Sequence, residues 1–182
     1  MGRTGRMFAV EHWGVDPDII CLAKGIASGM PLGAILARDA VMDWPSGSHA
    51  STFGGNPVSC RAALATLDLL EGGYMANATE RGNQLMQRLR ELKKRHKMLG
   101  DVRGLGLMVA VDVLGDDGAL HHDRRDAVVQ AAFRSGLLLL GCGEAAVRFC
   151  PPLCISAAQI DTALRLFDGF LSSAPKPEAV SV

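Results

Sequence analysis

A short apolar run that leads into a lysine and a glycine-rich loop does most to limit what this chain can fold into. Ile19–Leu22 has the length and composition of a short buried strand. Burial at the end of such a strand disfavours the charged ammonium of Lys24 and leaves a neutral amine, which imine chemistry requires. The alternative is that the long Lys24 side chain carries its charge out to solvent. The loop after Lys24 is marked by Gly25, Gly29, Pro31 and Gly33.

Four segments of the chain, in the right order, resemble those of class III aminotransferases. These enzymes use pyridoxal phosphate and include the ornithine, acetylornithine and 4-aminobutyrate aminotransferases. The segments are residues 2–9 (GRTGRMFA), 22–34 (LAKGIASGMPLGA), 51–57 (STFGGNP) and 148–153 (RFCPPL). Each motif is weak alone, but the set is specific. The resemblance implies an α/β protein of fold type I, made of the C-terminal end of the large cofactor domain and the small C-terminal α/β domain.

The resemblance also implies roles for three residues. Lys24 would hold pyridoxal 5′-phosphate as an imine and then move a proton between the substrate carbon and the cofactor. Thr52 matches a threonine that reaches across a homodimer interface to the phosphate of the partner's cofactor. Arg148 matches the arginine that binds the substrate α-carboxylate. On pattern alone, Arg148 lies in a predicted strand and faces either solvent or a bound anion.

The implied reaction is transamination between an amino acid, or an ω-amino acid, and a 2-oxo acid, most like the acetylornithine and 4-aminobutyrate branch. One alternative is an amino-acid racemase or epimerase of the same family, because the same lysine can return the proton to either face. A second is a non-catalytic fragment. The chain begins shortly after the position of the family's Asp-Glu-Val-Gln-Thr-Gly segment, whose aspartate pairs with the pyridine nitrogen. We therefore expect a truncated chain, inactive alone, from a protein that is a homodimer at full length.

Composition limits which binding partners and which cellular compartment we expect for this chain. Lysine plus arginine equals aspartate plus glutamate, 19 each, so nothing indicates nucleic acid or an anionic membrane as a partner. No apolar run reaches the roughly 18 residues of a membrane span. The five cysteines fit unpaired thiols in a reducing cytoplasm. His121 and His122, next to Asp123, are possible metal ligands. Adjacent histidines point in different directions, however, and no matched third ligand lies nearby, so we predict no metal site.

The pattern predicts a cofactor-domain part over residues 1–73, a small α/β domain over 74–172 and a disordered tail over 173–182. Predicted helices cover 57–71, 77–97, 123–133 and 157–171. Asn56 caps the first of these, Gly72 and Gly73 end it, and Ser156 with Gln159 forms a capping box for the last. Predicted strands cover 19–22, 32–37, 101–113, 137–140 and 146–150, the last two as a hairpin.

Overall fold

The computed structural model describes residues 1–173, as two compact units. The first unit comprises Met1–Gly2 and Arg6–Met75, and the second comprises Arg3–Gly5 and the residues from Ala76 onward. The predicted tail lies outside the described residues except for Ser173, which is the last residue of a helix. The assignment of residues 1–73 and 74–172 to a cofactor domain and a small domain stays a prediction.

The sheet of the first unit has two antiparallel strands, β1 (Ile19–Leu22) and β2 (Ala34–Ala37). The prediction that β1 is buried is wrong. Its residues alternate between exposed and half-buried, and Ile19 is 51% exposed. The reason is that β1 pairs only with β2 within residues 1–173, and a two-stranded sheet cannot bury its own faces.

The main helix of the first unit, α1 (Pro57–Leu69), begins as predicted. The Asn56 side chain accepts a hydrogen bond from the Ser59 backbone N–H at 2.9 Å, and Pro57 is the first helical residue. The predicted end at the glycine pair is wrong in detail. A wide helical turn, Leu70–Tyr74, continues from α1, and Gly73 makes a kink with φ of 139°. Glycine adopts that dihedral without a steric penalty.

Up to residue 173, where the described structure ends, the second unit is a four-stranded antiparallel sheet with three helices. The helices are α2 (Met75–Arg95, whose first residue belongs to the first unit), α3 (His122–Arg134) and α4 (Ala157–Ser173). The strands are β3 (Leu99–Leu105), β4 (Met108–Val113), β5 (Leu140–Cys142) and β6 (Ala146–Phe149). Their order across the sheet is β3-β4-β6-β5. None of the helices over residues 1–173 is long and apolar enough to span a membrane.

Two strand predictions in this unit need correction. The single strand predicted over 101–113 is the hairpin β3–β4, because the chain reverses at Gly106, whose φ is 51°. The strand predicted over 137–140 begins only at Leu140, and Leu138 is 78% exposed. The predicted hairpin with the following strand is confirmed as β5–β6. Helix α3 is capped by the His121 side chain, which accepts a hydrogen bond from the Arg124 backbone N–H.

One face of the second unit's sheet is covered by helices. The predicted apolar stripes of α2 and α4 are both buried, in one core with residues of the sheet. The stripe residues are Leu85, Leu89 and Leu92 in α2 and Ile160, Leu164 and Phe167 in α4, and the sheet contributes Val109, Val111, Val147 and Phe149. The Ser156–Gln159 capping box is also confirmed. Because side chains alternate across a strand, the residues between these core positions lie on the opposite face of the sheet.

Candidate active site

Lys24 lies where β1 ends and has an unusual backbone conformation. It begins the short 3₁₀ turn Lys24–Ala27, with φ of 54°. Ser28, just past this turn, has φ of 46°, and within residues 1–173 these two are the non-glycine residues with positive φ. An L-residue in the left-handed region is strained by about 1–2 kcal/mol, and such strain concentrates at functional sites. The two strained residues are therefore Lys24 itself, which the sequence singles out, and Ser28 at the end of the same turn.

The turn after Lys24 is held against α1. Ile26 and Ala27 are buried with Ala63 of α1 in the small core of the first unit. Ser28 Oγ lies 2.9 Å from Thr66 Oγ1, and Thr66 Oγ1 donates to the carbonyl oxygen one turn earlier in α1 at 2.8 Å. Because a hydroxyl has one proton, Ser28 must be the donor in its bond to Thr66. Apolar packing and this hydrogen bond together fix the strained turn.

The Lys24 side chain itself is exposed. Of the two alternatives that the sequence left open, burial of the amine and extension into solvent, the structure shows the second. Lys24 lies outside the small core to which Leu22 of β1 and Ala34 of β2 contribute. Lys24 lines an open concavity formed by its own loop. The concavity is lined by Lys24, Gly25, Ser28, Gly29, Met30, Pro31 and Leu32.

Thr52 lies in an exposed turn that leads into α1. The Gly54 backbone N–H donates to Ser51 Oγ at 3.1 Å, and Gly55 has φ of 66°. This turn places the Thr52 hydroxyl four residues before the capping Asn56, on the side of the helix whose backbone N–H groups carry partial positive charge. A hydroxyl and a helix N-terminus are chemically suited to a phosphate, as the resemblance implies.

Arg148 lies in β6, opposite Ala110 of β4 and Leu140 of β5. Its neighbours Val147 and Phe149 are buried in the helix-covered core, so the arginine side chain lies on the other face of the sheet. The Nε of Arg148 is buried and has no hydrogen-bond partner in the described structure. A buried donor without an acceptor is costly, and a carboxylate bound to the guanidinium would satisfy it.

A second arginine shares this cross-strand row but is already paired. Arg103 lies opposite Ala110 on its other side and donates to both oxygens of Asp112, at 2.7 and 2.8 Å. Hydrogen bonding to Asp112, the largest cause, raises the pKa of Arg103 above its usual value against the opposing effect of burial. Of the two arginines in the row, Arg148 is therefore the one suited to bind a substrate anion.

The three predicted site residues fall in both units: Lys24 and Thr52 in the first, Arg148 in the second. Sequence reasoning missed the Ser28–Thr66 hydrogen bond and the contacts of Arg3 described below. The Arg3 contacts had a sequence signal, because Arg3 lies in the GRTGRMFA segment. That signal does not identify the partners of Arg3, which lie 104 and 148 residues further along the chain. Within residues 1–173, no group of three or more His, Cys, Asp and Glu side chains is placed to hold a metal ion.

Comparisons with known proteins agree on one family. The family model described as Aminotransferase class-III matches residues 1–171. An acetylornithine aminotransferase of Gloeobacter violaceus is 42% identical over 177 residues, covering 96% of this chain and 42% of that protein. A leucine/methionine racemase of Thermococcus litoralis is 39% identical over 168 residues, covering 90% of this chain and 38% of that protein.

Solved structures agree with the sequence comparisons. An amine transaminase from an uncultivated Pseudomonas species, in the PLP-bound (internal aldimine) form, has a TM-score of 0.86 and 32% identity. That match covers 96% of this chain and 42% of the solved one. The predicted α/β fold of fold type I is confirmed by this likeness and by the mixture of helices and sheets. The chain spans about 42% of the length of the Gloeobacter violaceus protein.

Proposed function

The chain belongs to the class III aminotransferase family, and from this premise we propose that it contributes to a pyridoxal-phosphate-dependent transamination. The substrates would be an amino acid, or an ω-amino acid, and a 2-oxo acid. The relatives named acetylornithine aminotransferase support this reaction class. Because the chain spans less than half of their length, the activity is proposed for a protein that contains this chain. In that protein, residues 1–73 would belong to the cofactor domain and residues 74–172 to the small domain.

The residues present fit pyridoxal 5′-phosphate. Lys24 offers a primary amine at an open concavity, and Thr52 offers a hydroxyl beside the N-terminus of α1. When bound, the cofactor supplies an aldehyde that condenses with amines and a ring that accepts electrons. Lys24 would hold the cofactor covalently through Nζ, and Thr52 would donate to the phosphate of the partner subunit's cofactor in a homodimer.

Two of the chain's residues would then act on the substrate. The Lys24 amine, once released by an incoming amino group, would carry a proton to and from the substrate carbon as a general base and acid. Arg148 would orient the substrate by two parallel hydrogen bonds to its carboxylate, and its buried Nε supplies one donor. An anchor on the carboxylate would limit the orientations in which the substrate carbon can lose its proton.

The strained backbone at Lys24 carries this proposal. Lys24 has φ of 54° and begins a turn whose next residues pack against α1, a backbone restraint that an ordinary surface lysine lacks. Lys93 provides the comparison, because it is exposed in the last turn of α2 and has no such restraint.

The test uses this chain fused to the unmatched part of the Gloeobacter violaceus protein, with pyridoxal phosphate, borohydride trapping and peptide mapping. We expect trapped cofactor at Lys24 in preference to Lys93, and loss of the bound-cofactor absorbance in Lys24→Ala but not in Lys93→Ala. Equal trapping at both lysines would contradict the role of Lys24. The non-catalytic alternative predicts no bound-cofactor absorbance for the chain alone. Under it, absorbance would appear only after fusion to the unmatched part of the Gloeobacter violaceus protein.

A racemase is the second candidate, because the Thermococcus litoralis relative carries that name. The two reactions differ in what they consume. A racemase removes the optical activity of an amino acid without a 2-oxo acid acceptor, whereas a transaminase needs the acceptor. Polarimetry of the active fusion protein, with and without 2-oxoglutarate, separates them.

The proposal extends to a homodimer in the cytoplasm with no nucleic-acid or membrane partner. The five cysteines form no disulfide within residues 1–173, which suits a reducing compartment. Sedimentation of the fusion protein tests the dimer, and a stable monomer that retains full activity would contradict the role of Thr52.

A further inference from the structure

The Gly-Arg-Thr-Gly motif near the start of the chain has no task in the function proposed above. Its residues Arg3–Gly5 belong to the second unit and lie beside the β3–β4 turn. The backbone N–H of Leu107, in that turn, donates to the Arg3 carbonyl at 2.9 Å. This short segment is therefore joined by its backbone to the sheet that carries Arg148.

The Arg3 side chain joins two further points of this unit. Its Nη1 donates to the Leu107 carbonyl at 3.4 Å and to the Pro151 carbonyl. The guanidinium is half-buried, so both bonds are partly shielded from water. Pro151 comes three residues after Arg148, just beyond the end of β6.

The end of β6 needs such a donor from outside the sheet. The strand ends at Phe149, and Pro151 and Pro152 follow it. A proline has no N–H, so Pro151 and Pro152 donate no ladder hydrogen bond. Asn77 Nδ2 holds the chain further on, at the Leu153 and Ile155 carbonyls, and Arg3 supplies a charged donor at Pro151, close to the end of β6.

Glycines make the close approach of this segment possible. A Cβ added at Gly106 would lie 2.6 Å from the Arg3 carbonyl oxygen and from the Thr4 carbonyl carbon. A Cβ added at Gly82 of α2 would lie 2.1 Å from the Gly106 carbonyl oxygen. Backbone thus packs against backbone from α2 through the β3–β4 turn to Arg3, and there is no room for a side chain.

We propose that Arg3 is a positioning residue for Arg148: by holding the Pro151 carbonyl, it fixes the end of β6 and so the orientation of the carboxylate-binding guanidinium. This inference rests on the proposed role of Arg148. It assigns Arg3 no contact with substrate. The side chain acts through the strand end, and the buried Nε of Arg148 is the group whose surroundings depend on it.

The first test needs no ligand. In ¹⁵N NMR spectra of the 182-residue chain, we expect the Arg148 Nε–H to exchange slowly because it is buried. We expect Arg3→Met to speed that exchange about tenfold, because a charged donor to the strand end is lost. The matched control is Arg6→Met, since Arg6 is exposed and donates instead to the Glu11 carbonyl in the first unit. Unchanged Arg148 exchange in Arg3→Met would overturn the inference.

The second test measures carboxylate binding by isothermal titration calorimetry, with 2-oxoglutarate as the ligand. Arg3→Met should weaken the affinity about tenfold and Arg6→Met should leave it unchanged, while Arg3→Lys, which keeps one charged donor, should be intermediate. If Arg148→Gln leaves 2-oxoglutarate binding unchanged, the proposed role of Arg148 fails, and the inference fails with it. If Arg148→Gln abolishes binding and Arg3→Met has no effect, the inference alone fails.

A backbone variant separates positioning from the charge of Arg3. Gly106→Ala would push its Cβ against the Arg3 carbonyl and should reproduce both effects of Arg3→Met. Gly118→Ala is the control, because Gly118 also has positive φ, 81°, but a Cβ there meets nothing within 4 Å. Equal behaviour of the two alanine variants at Arg148 would count against the inference.

Discussion

At the scale of single residues, the Lys24 loop shows strain and compensation side by side. Ser28 is a non-glycine residue with φ of 46°, and its hydroxyl donates to Thr66 Oγ1 at 2.9 Å. The left-handed backbone costs about 1–2 kcal/mol, and a hydrogen bond between neutral groups returns about 1 kcal/mol. The serine is therefore tolerated where glycine would be favoured because it gains a partner on α1.

This balance predicts a coupling between the two residues. Thr66→Val removes the acceptor and should speed amide hydrogen exchange at residues 26–30 by about fivefold, corresponding to about 1 kcal/mol. Ser28→Gly loses the hydrogen bond but also the strain, so its effect should be smaller. In the Ser28→Gly background, Thr66→Val should do little. Thr162→Val, an exposed threonine of α4, is the control. Additive effects would show that the hydroxyls act independently.

At the scale of elements, the sequence was a good guide wherever a local signal set the boundary. Asn56 and the Ser156–Gln159 pair cap their helices as predicted, because a cap depends on residues three positions apart. The β3–β4 hairpin was not predicted, since the apolar pattern runs on through Gly106 and only the dihedral there reveals the reversal. The sequence left the exposure of Lys24 open, because an apolar strand does not reveal which layers cover it.

The ends of α2 and α4 are joined by an ion pair that makes the second unit sensitive to acid. His96 Nε2 lies 2.6 Å from Asp168 Oδ1, and Arg95 Nη1 lies 2.9 Å from Asp168 Oδ2. The hydrogen bond with His96, more than that with Arg95, lowers the pKa of Asp168 below its usual 3.8. A lowered folded-state pKa adds stability that is full above about pH 4 and is lost as the pH falls through the folded value.

Asp168→Asn should therefore lower the free energy of unfolding at pH 6 by about 1 kcal/mol, and the deficit should shrink below pH 4. Denaturant unfolding at several pH values measures this difference. Asp161→Asn on the same helix is the control. Its carboxylate is 53% exposed and lies 3.7 Å from Arg88, so we expect an effect of at most a few tenths of a kcal/mol. A deficit in Asp168→Asn that stays constant down to pH 3 would contradict the role of the ion pair.

At the scale of the whole molecule, the apolar residues form two cores of very different size. The core of the first unit has three buried residues, Ile26, Ala27 and Ala63. Among the residues that the structure describes, the core of the second unit has twenty buried residues. They include Phe149 and Phe167, whose rings meet edge to face with centroids 5.1 Å apart. Hydrophobic stabilisation scales with buried apolar area, so the second unit should hold most of the chain's own stability.

Separate cores predict separate responses to core mutation. Phe167→Ala removes a ring that is 0% exposed and should cost about 3–5 kcal/mol in the second unit. Ile26→Ala should weaken the first unit, by less, because its core is small and can collapse further. Segment-resolved hydrogen exchange tests both. Phe167→Ala should raise exchange in β3–β6 and α2–α4 while the amides of α1 keep their wild-type rates, and Ile26→Ala should do the reverse. If Phe167→Ala raised exchange equally throughout residues 1–173, the two units would unfold as one, and the small core would depend on the large one.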